Sequence, residues 1–108
     1  MLQFGEIVLM EFPFTNMKEH KQRPAVVVKD TKDNDAVFVR ITTKERPEQF
    51  ELKIQNWEKA GLLKPSVIRI HKIASLQTDL IVKQMGKLSK QDKLEFRNAL
   101  KIFFENNE

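Results

Sequence analysis

Arg23 opens a β-branched run, RPAVVV, and Thr42 and Thr43 close another, VFVRITT, with the polar stretch DTKDND between them. The Arg-Pro start, the valines and the answering apolar run predict two strands and a tight turn over Lys21 to Thr43. Antiparallel pairing sets the start of the first strand beside the end of the second. A guanidinium and two hydroxyls then meet at one edge of a sheet. Guanidinium matches phosphate oxygens bidentately and stays charged, and a hydroxyl donates to a phosphate or a base edge, so this edge reads as a phosphate site. Strict alternation points the two threonines to opposite faces, so one of them faces the site. Each residue also has a plainer use, since Thr is common in strands through β-propensity and an Arg before a strand proline is commonly solvated.

Other titratable side chains flank this edge. The stretch TNMKEHKQ, Thr15 to Gln22, is polar, basic and without apolar periodicity. It predicts an exposed loop that carries Lys18, Glu19, His20 and Lys21 towards Arg23. Glu19, His20 and a second histidine, His71, are the groups that could exchange a proton near neutrality. With no cysteine and two separated histidines, thiolate chemistry, a disulfide framework and a His- or Cys-based metal cluster are not expected, and no cofactor is implied. No Asp-rich loop has calcium-ligand spacing.

The bulk properties set wide bounds. The 108 residues predict one domain with a single modest core, spanning residues 1–108. Net charge is +4 and the pI near 9.4, which favours an anionic partner without specifying one. No apolar run reaches the length of a membrane span and the amino terminus lacks signal-peptide regions, so a cytoplasmic protein is expected.

The elements that must hold these residues follow in order. Gly5 to Phe14, GEIVLMEFPF, predicts a buried first strand ended by Pro13. After the central hairpin and a loop broken by Pro47, Phe50, Leu52 and Ile54 alternate with charged residues as a half-buried strand does. In NWEKAGLLKP, Asn56 can cap a short helical turn that Gly61 ends. Ser66 to Ile70 predicts another strand, with His71 to Leu76 continuing into a turn or short helix. Leu80 to Leu88 predicts a last strand with Gly86 as a possible bulge. Ser89 starts the one long helix, with Asp92 near its positive end and Phe96, Ala99, Leu100 and Phe103 on one face. Trp57 and Phe50 can stack a base, although burial is the simpler expectation. The fold class is mainly β with α: five or six short strands at barrel-like spacing, closed by a terminal helix.

The series GEIVLMEFPF, a basic loop, RPAVVV, VRITT, KPSVIRIHKI and a final amphipathic helix resembles the MazF/PemK/Kid toxins of type II toxin–antitoxin modules, in particular the PemK-like branch. FPFT, RPAVVV and GLLKPSVIRI carry the likeness, which runs from Gly5 to about Phe104. The resemblance implies a small, partly open SH3-like barrel that forms a homodimer. It implies metal-independent, sequence-selective cleavage of single-stranded RNA, in which the ribose 2′-hydroxyl attacks the adjacent phosphate to leave a cyclic phosphate and a 5′-hydroxyl. A cognate antitoxin would block the site. By the same resemblance Arg23 and Thr42 are catalytic, and Arg69, in the V-x-R strand, is a second functional arginine. Thr43, Lys21, His20 and Lys72, together with Lys18 and Lys64, would line the path of the RNA backbone. Where some members carry an aspartate two residues after that arginine this chain has His71, the usual Gly-Asp near the start is Gly5-Glu6, and the basic loop is poor in glycine. The general base is therefore expected to be His71 or Glu19. Two other readings share the fold: a CcdB-like gyrase poison that acts by binding, and an RNA-binding barrel whose catalytic site has decayed at His71.

Overall fold

Strands with apolar residues on both faces need a second layer on each side, and this chain builds both from one sheet. The computed structural model describes residues 2–13, 20–44 and 50–105. The strands β1 (Glu6–Pro13), β2 (His20–Asp30), β3 (Asp35–Thr42), β4 (Glu51–Lys53), β5 (Val67–Gln77) and β6 (Ile81–Lys87) precede a helix, α1 (Lys90–Glu105). They pair antiparallel in the order β4-β5-β3-β2-β1-β6, with β4 and β6 at the edges. The sheet curls without closing through hydrogen bonds. It is the partly open, mainly β barrel with a terminal helix that the resemblance implies.

Neighbouring residues feed opposite cores. Ile7, Val26, Val39 and Ile41 pack with Phe96 and Leu100 of α1. Val8, Met10, Phe12, Ala25, Val27, Ala36 and Phe38 form a second cluster on the other face. The β2–β3 turn holds two left-handed residues, Lys32 (φ 63°) and Asn34 (φ 71°), and the Thr31 hydroxyl donates to the Asp33 carboxylate at 2.6 Å. This is local Asx and Ser/Thr turn chemistry of the kind DTKDND encodes.

Three expectations need correction. His71 to Leu76 is neither turn nor helix, because β5 runs unbroken to Gln77 and pairs with β3 as far as Asp35↔Gln77. Cross-strand hydrogen bonds to β3 supply what the weak local pattern lacked. NWEKAG forms the expected helical turn, with the Ala60 N–H donating to the carbonyls of Asn56 and Trp57 and left-handed Gly61 (φ 87°) at its end, but Asn56 does not cap it. The side chain of Asn56 donates to the Ser89 hydroxyl at 2.9 Å instead of capping its own turn. Phe50 is 43% exposed, whereas burial is the simpler expectation from sequence; Trp57 is half-buried against the α1-side core.

Asp92 does more than its position on the helix suggests. It is 2% exposed, and its two carboxylate oxygens accept the backbone N–H groups of Gln55 (3.0 Å) and Asn56 (2.8 Å). Its own N–H donates to the Ser89 hydroxyl at 3.1 Å, the N-cap bond. One carboxylate thus ties α1 to the segment after β4. Asp92→Ala leaves two N–H groups without this acceptor, that of the exposed Gln55 and that of the half-buried Asn56, and is expected to cost about 1–3 kcal/mol in denaturant unfolding. A midpoint unchanged from wild type would show that the tie contributes nothing.

That segment also stands in for the missing barrel closure. Gly61 (φ 87°) lies so near β6 that a methyl there would fall on the Met85 carbonyl oxygen. A methyl on Gly86 would fall on the Ala60 carbonyl oxygen. Two backbones touch here because neither carries a Cβ. The β1–β6 pairing steps from Ile7↔Gly86 to Val8↔Gln84, which leaves Met85 as the extra residue of a bulge beside Gly86.

Candidate functional site

Pairing of β2 with β3 ends at Ala25↔Arg40, which leaves Arg23 and Thr42 at the same end of the two strands. Phe38, Arg40 and Thr42 alternate onto the face opposite Val39 and Ile41, so Arg40 and Thr42 emerge together at the end of the strand. Here the surface opens into a cleft of about 480 Å³ lined by Lys21, Arg23, Arg40, Thr42, Thr43, Lys44 and Arg69, with Gln22, Pro24 and Ile41.

Arg69 reaches this cleft because β5 is irregular. The β3–β5 pairing passes from Val39↔Ile73 to Ile41↔Ile68, so Arg69, Ile70, His71 and Lys72 all lie opposite Arg40. Such a bulge bends the strand and re-aims its side chains. Arg69 is 8% exposed; its Nε is 3.9 Å from the Glu51 carboxylate, and its Nη2 is 3.5 Å from Nε2 of His71. Since Arg can only donate, that contact makes Nε2 of a neutral His71 the acceptor.

The cleft is crowded with like charge. Burial, then the charge of Arg69, then that of Arg23, lower the pKa of Arg40 from its ordinary value. Arg40 also lies over the Phe12 ring, 5.2 Å from its centroid, a cation–π contact. Three guanidiniums that repel one another are relieved by an anion placed among them. The Thr42 hydroxyl accepts the Lys44 N–H at 3.2 Å and keeps its own hydrogen for donation into the cleft. Among the described residues no three His, Asp or Glu side chains are grouped to hold a metal ion.

Of the residues singled out from sequence, Arg23, Thr42, Thr43, Arg69 and Lys21 share this cleft. Thr43 also lines a neighbouring depression with Lys53, Trp57 and Ser66. His71 and Lys72 do not line the Arg23 cleft; they border a second one with Phe12, Phe38 and Arg40, and His71 communicates with the first through Arg69. Phe50 packs 5.6 Å from the His71 ring and 5.4 Å from Phe103 of α1. The His20 backbone pairs with Pro13. Glu19 and Lys18 lie outside the described residues, and Lys64 is exposed away from the cleft. Sequence reasoning missed Arg40. Its signal was available, because VFVRITT places it two residues before Thr42 and hence on the same strand face.

A partly open antiparallel barrel with an arginine-lined cleft at the end of its central strands defines a small β protein with a cationic site. The chain belongs to a family, for residues 3–104 match the PemK-like, MazF-like toxins of type II toxin–antitoxin systems. No curated protein matches it in sequence. Among solved structures it is similar to an endoribonuclease in complex with its cognate antitoxin from a mycobacterial species, with a TM-score of 0.76 and 16% identity over 100% of this chain and 98% of that one. It is similar to the Mycobacterium tuberculosis toxin MazF-mt6, with a TM-score of 0.75 and 18% identity over 95% and 99% of the two chains. A MazE–MazF structure from Deinococcus radiodurans aligns with a TM-score of 0.76 and 15% identity over 97% of each chain. At these identities the likeness is one of fold. Among the described residues no helix is long and apolar enough to cross a membrane.

Proposed function

We propose that this toxin is an endoribonuclease that cuts single-stranded RNA without a metal ion, by attack of the ribose 2′-hydroxyl on the adjacent phosphate. The observation that carries the reading is the convergence of Arg23, Arg40 and Arg69 with the Thr42 hydroxyl on one cleft. Two of the similar structures described above are an endoribonuclease and a MazF toxin, which supports it.

In this scheme a base removes the 2′-proton, the 2′-oxygen bonds to phosphorus, and the bond from phosphorus to the 5′-oxygen breaks. The products are a 2′,3′-cyclic phosphate and a 5′-hydroxyl, the latter after the leaving oxygen takes a proton. Arg23 and Arg69 hold the non-bridging oxygens as negative charge builds on them, and Thr42 adds a hydrogen bond. Arginine is too weak an acid to be the preferred donor to the leaving oxygen. The base is His71 or Glu19. For His71 to serve, its Nε2 must exchange Arg69 for the 2′-hydroxyl, a move of one side chain. His71→Ala is then expected to lower kcat by ~10²–10⁴-fold and to flatten the acid limb of the pH–rate profile. A rate and profile equal to wild type would remove His71 and leave Glu19.

Such a toxin works on mRNA in the cytoplasm as a homodimer, and a cognate antitoxin holds it in check. The same cationic cleft offers an acidic antitoxin segment a place to compete with RNA, and the mycobacterial and Deinococcus relatives are both seen with an antitoxin. The test is incubation of the purified protein with a long unstructured RNA in excess EDTA. Discrete fragments ending in cyclic phosphate support the proposal. RNA that binds but stays intact favours a non-catalytic barrel, and neither binding nor cleavage redirects attention to a gyrase-type target.

A further inference from the structure

The second cleft has no part in the scheme above, yet it shares Arg40 with the first. It encloses about 240 Å³, below the ~300–1,000 Å³ of sites for drug-sized ligands and suited to one flat ring system. Phe12 and Phe38 form its apolar floor, 6% and 1% exposed, with Ala74 and Leu76 beside them. Its polar rim is Arg40, Lys72 and His71. The first two can only donate hydrogen bonds; Nδ1 of His71 is buried and its Nε2 faces Arg69, so the donors offered here are those of Arg40 and Lys72.

We infer that this cleft is a nucleobase subsite, and that it takes the guanine next to the phosphate held in the arginine cleft. The inference rests on the RNA-cleaving reading and deepens it. An apolar floor under a rim of donors calls for a flat ligand with an acceptor-rich edge. Guanine presents O6 and N7 side by side, which a guanidinium matches with two parallel N–H groups. Adenine offers N7 next to an N6 amino group, which would face Arg40 donor to donor. Arg40 lies over the Phe12 ring, 5.2 Å from its centroid, which keeps the guanidinium beside this cleft. Since Arg40 lines both clefts, a base in one and its phosphate in the other fall within reach of a single nucleotide.

The experiment is a titration of the full-length protein, followed by NMR, with 3′-GMP, 3′-AMP, 3′-UMP and inorganic phosphate. The expected result is 3′-GMP binding on the order of tenfold tighter than 3′-AMP. Arg40→Lys keeps the charge and loses the fork, so it should erase that preference. Ala74→Leu, which fills the cleft without touching a charge, should do the same while inorganic phosphate still binds. Retained phosphate binding shows that Ala74→Leu is folded, and an amide spectrum like that of the wild type shows the same for Arg40→Lys. Equal affinity for the three nucleotides, or a guanine preference that survives both variants, overturns the subsite. These readouts are separate from cleavage: a protein that cuts RNA without guanine preference keeps the proposed function and loses this inference.

Discussion

Arg23→Ala is expected to lower kcat for RNA cleavage by ~10²–10³-fold, the usual loss when one pre-placed donor to a developing oxyanion is removed. The arginine is exposed at the start of the central hairpin, so its removal should leave the unfolding midpoint within about 0.5 kcal/mol of wild type. That separation makes Arg23 a cleaner probe than Arg69, which is buried and lies against Glu51 and His71, so that its loss would cost folding as well as chemistry. Arg23→Lys should recover only part of the rate, because an ammonium keeps the charge without the bidentate geometry. The measurement is single-turnover cleavage of a labelled RNA in EDTA beside a denaturant melt of each variant. A fall in affinity with kcat unchanged would make Arg23 a general phosphate contact rather than a stabiliser of the transition state. Cleavage by Arg23→Ala at the wild-type rate would end the assignment.

The largest effect on stability is expected at Gly61. Alanine there meets the Met85 carbonyl and must also hold a left-handed backbone, so the two costs add to about 3–5 kcal/mol. Gly86→Ala meets the Ala60 carbonyl without a left-handed φ and should cost less, about 1–3 kcal/mol from overpacking. Gly5→Ala keeps a left-handed strain (φ 92°) but meets only the flexible Lys93 side chain, so about 1–2 kcal/mol is expected. For a domain of this size each kcal/mol moves Tm by roughly 4–8 °C, so thermal melts separate the three. The order Gly61 > Gly86 ≥ Gly5 tests whether contact between the post-β4 segment and β6 replaces barrel closure. If Gly61→Ala melts with the wild type, the backbones have room to part and the seam is not structural.

Much was legible in the chain alone because it is written in short-range physics. β-Branched runs, the DTKDND turn, the Ser89 cap and the apolar stripe on α1 place the central hairpin and the helix, since each depends on residues within a few positions of itself. The alternation rule together with antiparallel pairing places Arg23 beside Thr42, because a hairpin converts sequence distance directly into register. The family resemblance had the same basis, an ordered series of such local signals.

What the sequence could not show depends on contacts between distant segments. The continuation of β5 through His71 to Gln77 rests on β3, more than thirty residues earlier, and the bulge opposite Arg40 is a property of that pairing rather than of either strand. The bulge decides that Arg69 enters the Arg23 cleft while His71 borders the next one. Asp92 reads as a helix-dipole residue until the fold brings Gln55 and Asn56 to its carboxylate. Gly61 and Gly86 look like a helix stop and a bulge until the two backbones meet. Local patterns set the elements, because propensity and capping act over one or two turns. Tertiary packing assigned the side chains to clefts, because which residues face one another across a sheet is settled only when the strands pair.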